Sequence, residues 1–573
     1  MKKVLLLIAL LPLMATGRAA EANVEAKAET NAEANDKTNA QAETQAQAAP
    51  QAQAEASISF SEARKTVLNV KVDGKKVRVD WYADNYCTRP SRAEDQKINV
   101  YVPSKATKKS PIIFIVNNGG WRMDDYPTDT IEDGREYDGT FDKIGVALKE
   151  GYVVVSYGAR SRANGATDGK FLGHSPATMT DTKAAIRYLR YNRKALPAGN
   201  TDRIIVTGTS GGGALSTLIA ASGNSRDFYP SLYEIGAAGI TKNADGTYSS
   251  ADAIGDNVFA AISYCPITDL GHGDAAYEWL FQDVRRALYR AGRMDYAYAD
   301  EATIMRASAE LSEVYARYID GLGLKDENGE ALDSSNLNAF IERLMRKEIA
   351  LSIKEFGAEQ MAKDVEQEIR RWGPRGGRPS ASGEAEHREN NGWIVFGEDG
   401  SWRYDYGKHL YYLALYTTLK PAPSFSNQGL YDIMMNEDNL FGSDRDEYCP
   451  FNPYSWNNDT RRNGVGKDDT GLSWDEFVAT EAGKALALQT KMTCAMDYLL
   501  EGESDAAPYW YVRHGMDDRD ASWAVEATLF ASIMNSPKVK GHDVGFAWLK
   551  PHSGDYDVPE AYAWLKSVLR RAR

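Results

Sequence analysis

The stretch that most restricts how this 573-residue chain can fold is Gly208-Thr209-Ser210-Gly211-Gly212. A β-branched apolar run, residues 203–207, leads into it, and a small-residue run of helical character, residues 213–221, leads out. The first reads as a short buried strand. A serine on a sharp turn between a strand and a helix is the setting expected of an exposed nucleophile. Such a turn has a strained backbone that packs closely on its neighbours, so glycines on both sides of Ser210 meet a steric requirement.

Strands and helices alternate around this unit. Residues 67–72 and 77–82 alternate apolar and polar side chains about Asp73-Gly74, which predicts a hairpin. Residues 97–102 form a further strand ended by Pro103. The unbroken apolar runs at 111–117, 151–157 and 258–264 suit strands covered on both faces, and 176–193 has helical spacing. The pattern predicts a mainly parallel α/β sheet with antiparallel strands at its start.

After Pro266 the character changes. Residues 274–372 are charged with helical periodicity, 373–392 form a loop rich in Gly, Ser and Arg, and 404–419 and 474–500 are helical again. Strand character returns at 509–513 and 544–549. The expected architecture is an α/β-hydrolase fold with a large, mainly helical lid (270–506), inserted before the strand that leads to the acid loop. Residues 58–269 and 507–573 form the two parts of the core, and the lid is expected to fold over Ser210.

The ends and the charge narrow the setting. Residues 1–19 combine two lysines, an apolar run and small residues spaced for cleavage after Ala19, the pattern of a secretory signal peptide too short to span a bilayer. Residues 20–57 are Ala-, Glu- and Gln-rich without an aromatic residue, so a disordered linker is expected, with a helical spacer as the alternative. The mature protein is expected to be exported, periplasmic or extracellular, with no membrane anchor. Lys plus Arg number 67 against 81 Asp plus Glu, a net charge of −14, which argues against nucleic acid as a partner. Four cysteines are too few for a disulfide scaffold. Cys265, in an apolar run, is expected as a buried free thiol, and Cys449 with Cys494 is a candidate bridge. No zinc-ligand spacing is present and no cofactor or metal is required, although Ca²⁺ on the acidic loops is left open.

A serine needs a base and a group to orient that base. On this fold both follow the serine, acid first and then His, each after a late strand. His552, after the last strand in Pro551-His552-Ser553-Gly554-Asp555-Tyr556, is in the place of the base, with His514 and His542 as rivals. Asp517, Asp518 and Asp520 are all in place for the acid, and position alone does not choose among them. Backbone N–H groups of Gly211 and of Gly119 or Gly120, in Asn118-Gly119-Gly120, are the expected oxyanion donors.

These segments resemble the bacterial tannases, α/β-hydrolases that cleave gallate esters. The elbow, the acid loop Arg513-His514-Gly515-Met516-Asp517-Asp518-Arg519-Asp520 and the base segment are similar to that family. So are Tyr264-Cys265-Pro266-Ile267-Thr268-Asp269 with Ala276-Tyr277-Glu278-Trp279, and Glu437-Asp438-Asn439-Leu440-Phe441-Gly442. The resemblance runs from about Ile58 to the C-terminus. It implies Asp518 as the acid, and Asp520, Glu437 and a lysine as partners of the galloyl hydroxyls. Lys420 fits the lysine best, with Lys408 behind it. The fungal-type tannase and feruloyl esterase pattern, a disulfide beside the catalytic Ser and His, is absent from this sequence.

The resulting expectation is an exported serine esterase acting on galloyl esters, small aromatic substrates. Ser210 is its nucleophile, His552 its base and Asp518 the orienting acid. The rivals are a feruloyl or acetyl carbohydrate esterase on the same fold, a non-catalytic binding protein on a hydrolase scaffold, and a serine peptidase. An intact Ser, Asp, His and oxyanion loop speaks against the binding protein.

Overall fold

In the computed structural model, residues 57–123, 125–292, 299–371, 391–416, 419–431, 435, 437–462 and 464–572 are described. The expected signal peptide, the linker up to residue 56 and residues 372–390 of the Arg- and Gly-rich loop lie outside them.

Ten strands form one sheet: β1 (Lys65–Val72), β2 (Lys75–Asn85), β3 (Lys97–Pro103), β4 (Ile112–Ile115), β5 (Glu136–Tyr137), β6 (Val153–Tyr157), β7 (Ile204–Thr209), β8 (Ala260–Tyr264), β9 (Tyr509–Gly515) and β10 (Gly541–Ala547). Their order is β10-β9-β8-β7-β4-β6-β3-β2-β1-β5. From β10 to β6 all neighbours are parallel, while β6–β3, β3–β2 and β2–β1 are antiparallel. The hairpin about Asp73-Gly74 is the β1–β2 pair.

The apolar runs are explained by burial on both faces. In β4, Ile112 and Phe114 join one core cluster and Ile113 and Ile115 the other. Val153 and Val155 are separated from Val154 in the same way, as are Ile204 and Val206 from Ile205. Each such side chain contributes roughly 1.5–3 kcal/mol on burial. Helices α1 (Lys143–Glu150) and α12 (Val558–Arg571) cover one face, and α2 (Ala177–Tyr191), α3 (Gly211–Ala221) and α11 (Trp523–Asn535) the other.

Between β8 and β9 the chain runs through α4 (Leu270–Arg290), α5 (Glu301–Leu322), α6 (Leu337–Phe356), α7 (Ala358–Arg371), α8 (Tyr406–Tyr416), α9 (Glu481–Lys491) and α10 (Ala495–Glu501), with shorter turns and two small ribbons. The stretch 474–500 is three helices rather than one. Ser473 and Glu476 form a capping box at the first, and the Thr480 side chain accepts from Gly483 N–H at the start of α9. Ile304, Leu311, Phe340, Trp393 and Tyr412 of this insertion belong to the same buried cluster as Phe114 and Val206. The insertion therefore shares the core of the α/β layer instead of building its own.

All four cysteines are buried and free, so Cys449 and Cys494 are not joined. Among the described residues no helix is long and apolar enough to cross a membrane.

Candidate active site

The parallel strands bring their carboxyl ends to one edge, the edge at which such sheets place ligands. Ser210 leaves β7 with φ 59° and ψ −124°, a conformation costing roughly 1–3 kcal/mol for a residue with a side chain. Its N–H donates to the Tyr264 carbonyl at the end of β8 (3.0 Å). The flanking glycines answer to close approach. A Cβ on Gly208 would lie 2.4 Å from the Gly212 carbonyl oxygen, and one on Gly212 would lie 2.5 Å from that of Val116.

His552, after β10, and Asp518, after β9, meet Ser210 there. His552 Nε2 is 2.7 Å from Ser210 Oγ, and Nδ1 is 2.7 Å from Asp518 Oδ2. Asp518 Oδ1 accepts the Asp520 N–H (2.9 Å). The three acids of the loop are thereby separated: Asp518 faces His552, whereas the Asp517 carboxylate lies 3.6 Å from His409 Nε2. Burial opposes ionisation of Asp518, but His552 and His514 together hold its carboxyl well below the usual range. Burial likewise opposes charge on His552, and the Asp518 carboxylate outweighs it, raising the imidazole above its ordinary value.

Of the rival histidines, His542 sits at the start of β10, at the far end of the sheet. His514 lies behind the acid, with Nε2 3.6 Å from Asp518 Oδ2 and Nδ1 3.3 Å from Glu526 Oε1 on α11. His514 and Glu526 are fully buried. Cys265 Sγ, an Asp518 oxygen and a His552 nitrogen lie within 4.8 Å of one another, the one described cluster with metal-ligand chemistry, and two of its members are engaged with Ser210 and each other.

The Asn118–Trp121 loop packs against the elbow. Asn118 O accepts the Gly212 N–H (2.7 Å), and a Cβ on Gly211 would lie 2.4 Å from Trp121 N and 2.8 Å from Gly120 N. Gly120 and Trp121 have φ of 55° and 57°. Of the two glycines expected in this role, Gly119 has its N–H on the Arg122 carbonyl (3.1 Å), and the Arg122 N–H donates back to Gly119 O (3.0 Å). That two-way pairing uses the amide within the turn. The N–H groups of Gly120, Trp121 and Gly211 donate to no described residue. The buried Asn118 carboxamide is also without a partner among them. The placing of the Trp121 N–H beside Gly211 has no sequence signature, because it follows from a two-residue pairing inside the turn.

The residues expected around a galloyl ring come from three places and converge electrostatically. Glu437 is 3% exposed; burial raises its carboxyl, against the opposing charges of Lys420, Arg162 and His552. Asp520 raises the His552 imidazole, and Lys420 lowers it. The Lys420 ammonium lies over the Phe425 ring at 4.2 Å. Lys408 is exposed, on α8. Two buried carboxylates shape the segment that carries Lys420 and Glu437. Asp274 accepts N–H bonds from Ser424 (2.7 Å) and Phe425 (2.6 Å) and one from Asn452 Nδ2 (2.7 Å). Asp438 accepts from Asn427 (3.0 Å), Gln428 (3.2 Å) and Met435 (2.7 Å). Burial pushes both carboxyls up to about 7. In the sequence these aspartates look like any other acids of a charged insertion.

A family model described as BD-FAE, a hydrolase domain, matches residues 98–288. No curated protein matches the chain significantly. Among solved structures, the Fusobacterium nucleatum tannase is 25% identical with a TM-score of 0.65, over 90% of this chain and 100% of that one. The Lactobacillus plantarum tannin acyl hydrolase in its native structure is 25% identical with a TM-score of 0.66, over 89% and 99%. A tannin acyl hydrolase in complex with ethyl gallate is 26% identical with a TM-score of 0.65, over the same shares. These similarities establish the α/β-hydrolase fold and support an ester hydrolase of the tannase type.

Proposed function

We propose that this protein is an exported serine esterase that hydrolyses galloyl esters. The observation that carries the reading is the Ser210–His552–Asp518 relay; it is supported by the buried Glu437, on which the Lys420 charge acts, and by the charges of Asp520 and Lys420 acting on His552. In this mechanism Ser210 Oγ attacks the ester carbonyl as its proton passes to His552 Nε2. Asp518 holds the Nδ1–H tautomer and stabilises the imidazolium. The oxyanion is received by Gly211 N–H with Gly120 or Trp121 N–H. His552 then returns the proton to the departing alcohol, and a water molecule, activated by the same imidazole, releases gallate from the acyl-enzyme.

Three adjacent phenolic hydroxyls each donate and accept hydrogen bonds. Glu437 and Asp520 would accept from them and Lys420 would donate. A ring lacking the hydroxyls would leave buried charges unpaired, which disfavours benzoate-like substrates. The insertion acts as a lid in this reading, and residues 1–19 direct export.

The deciding experiment compares purified protein on methyl gallate, methyl ferulate and p-nitrophenyl acetate. The expected order of kcat/KM puts methyl gallate first by at least tenfold over methyl ferulate. A preference for ferulate, or equal rates on both, would reject the galloyl assignment and leave an esterase of other specificity.

A further inference from the structure

Arg162 joins two parts of the site supplied by distant segments. It opens a short helical turn, Arg162–Asn164, held in place by Ser161, whose hydroxyl donates to the Met123 carbonyl (2.6 Å) and whose N–H donates to Asn164 Oδ1 (2.6 Å). From that support its Nε donates to the Gly120 carbonyl at 2.7 Å and its Nη1 to Asn439 Oδ1 at 3.1 Å. The Gly120 carbonyl shares a peptide unit with the Trp121 N–H, which donates to no described residue and stands beside Gly211. In a trans peptide the C=O and N–H point in opposite directions, so a donor clamped on the carbonyl fixes where that N–H points. A charged donor also polarises the unit and strengthens its N–H. The other end of the fork holds the turn that carries Glu437, and the Arg162 charge offsets part of the burial cost of that carboxylate.

We propose that Arg162 is a positioning residue that couples the aromatic-recognition turn at Glu437 and Asn439 to the oxyanion-binding peptide Gly120–Trp121. The inference rests on the esterase reading above and adds a single physical link between selectivity and rate. The planar fork is required, because one lysine ammonium does not reproduce two donors of fixed relative direction.

Arg162→Met and Arg162→Lys, each checked for an unchanged circular dichroism spectrum and Tm, test it on p-nitrophenyl acetate and methyl gallate. Phenylboronic acid, which forms a tetrahedral adduct on the serine, is the probe of the oxyanion site. Arg162→Met should lower kcat on both esters at least tenfold and weaken phenylboronate inhibition by a similar factor. It should raise KM for methyl gallate alone. Arg162→Lys should recover less than a third of the lost kcat. Asn439→Ala should raise the methyl gallate KM in the parent and have little further effect in Arg162→Met. An unchanged kcat on acetate, or a lost kcat with unchanged boronate inhibition, overturns the proposal. So does an Asn439→Ala effect of equal size in both backgrounds, and this arm remains decisive in Arg162→Lys should Arg162→Met not fold. A parent protein active on acetate but inert to methyl gallate would instead remove the galloyl reading and leave the acetate and boronate arms readable.

Discussion

Thr209, Tyr264 and Arg513 lie side by side across β7, β8 and β9, and Ser210, Asp518 and His552 follow the ends of three strands of that sheet. Lys420 and Glu437, in the insertion, are on no strand or labelled helix, and their segment is shaped by hydrogen bonds to the lone buried carboxylates of Asp274 and Asp438. Strand register places a residue through many mutually supporting backbone bonds, so few side chains outside the relay bear on its geometry. The insertion relies on a few polar contacts in an apolar setting, where each missing partner leaves others unsatisfied. Rate should therefore be the more robust property and selectivity the more fragile, with Arg162 the one side chain proposed to couple them.

The strongest way to break this division is at the relay itself. Ser210→Ala should lower kcat by about 10⁵ or more on every ester, with Asp518→Asn near 10⁴, and neither should lower Tm appreciably. Residual activity of Ser210→Ala within tenfold of the parent, measured by initial rates, would end the serine mechanism.

Next come the residues proposed to recognise the ring. Glu437→Ala or Asp520→Ala should cost about 2 kcal/mol or more in kcat/KM for methyl gallate while leaving p-nitrophenyl acetate nearly unaffected. Losses of the same size on both substrates would mean that the residues support the relay, and the division would fail. Asp274→Ala removes the acceptor of bonds from four described partners, Ser424, Phe425, Ser426 and Asn452, and should destabilise the protein by about 2–3 kcal/mol in urea titrations. It should reduce gallate selectivity more than acetate turnover. A stable variant with full selectivity would show that the segment is held by other means.

The pH profile links the two regions. In the proposed mechanism His552 must be neutral to take the Ser210 proton, and its imidazole is raised, so kcat/KM should rise with pH through a value above the ordinary imidazole figure of about 6.5. Lys420 lowers that imidazole and Asp520 raises it. Lys420→Met should therefore move the acid limb to higher pH and Asp520→Asn to lower pH. Limbs that stay in place in both variants would separate the clamp from the relay.

The smallest effect belongs to Gly119, with Gly211 as its contrast. A Cβ on Gly119 meets nothing within 4 Å, and its amide is paired within the turn, so Gly119→Ala should stay within about 0.5 kcal/mol in kcat/KM. Gly211→Ala drives a Cβ to 2.4 Å from Trp121 N and should visibly impair turnover. Reversed sensitivities would return Gly119 to the oxyanion site.

Local pattern sufficed for the elbow, for the strands and for His552, because each rests on short-range rules: β-branched runs covered on two faces, glycines at a close approach, and a base after the final strand. The resemblance carried Asp518, Asp520, Glu437 and Lys420, whose residue types are common in any charged insertion. Position in the sequence did not choose among the acids of the loop; tertiary structure sets Asp518, and not Asp517, against His552, since both leave the same loop and only the position of the neighbouring strand's histidine distinguishes them. It also paired the amide of Gly119 with the Arg122 carbonyl, placed His514 and Glu526 behind the acid, and set Arg162 between the Gly120 carbonyl and Asn439. These are contacts between residues far apart in the chain or buried inside one turn. Hydrophobic periodicity reports which face of an element is covered; it carries no information about which polar atom on that face meets which partner.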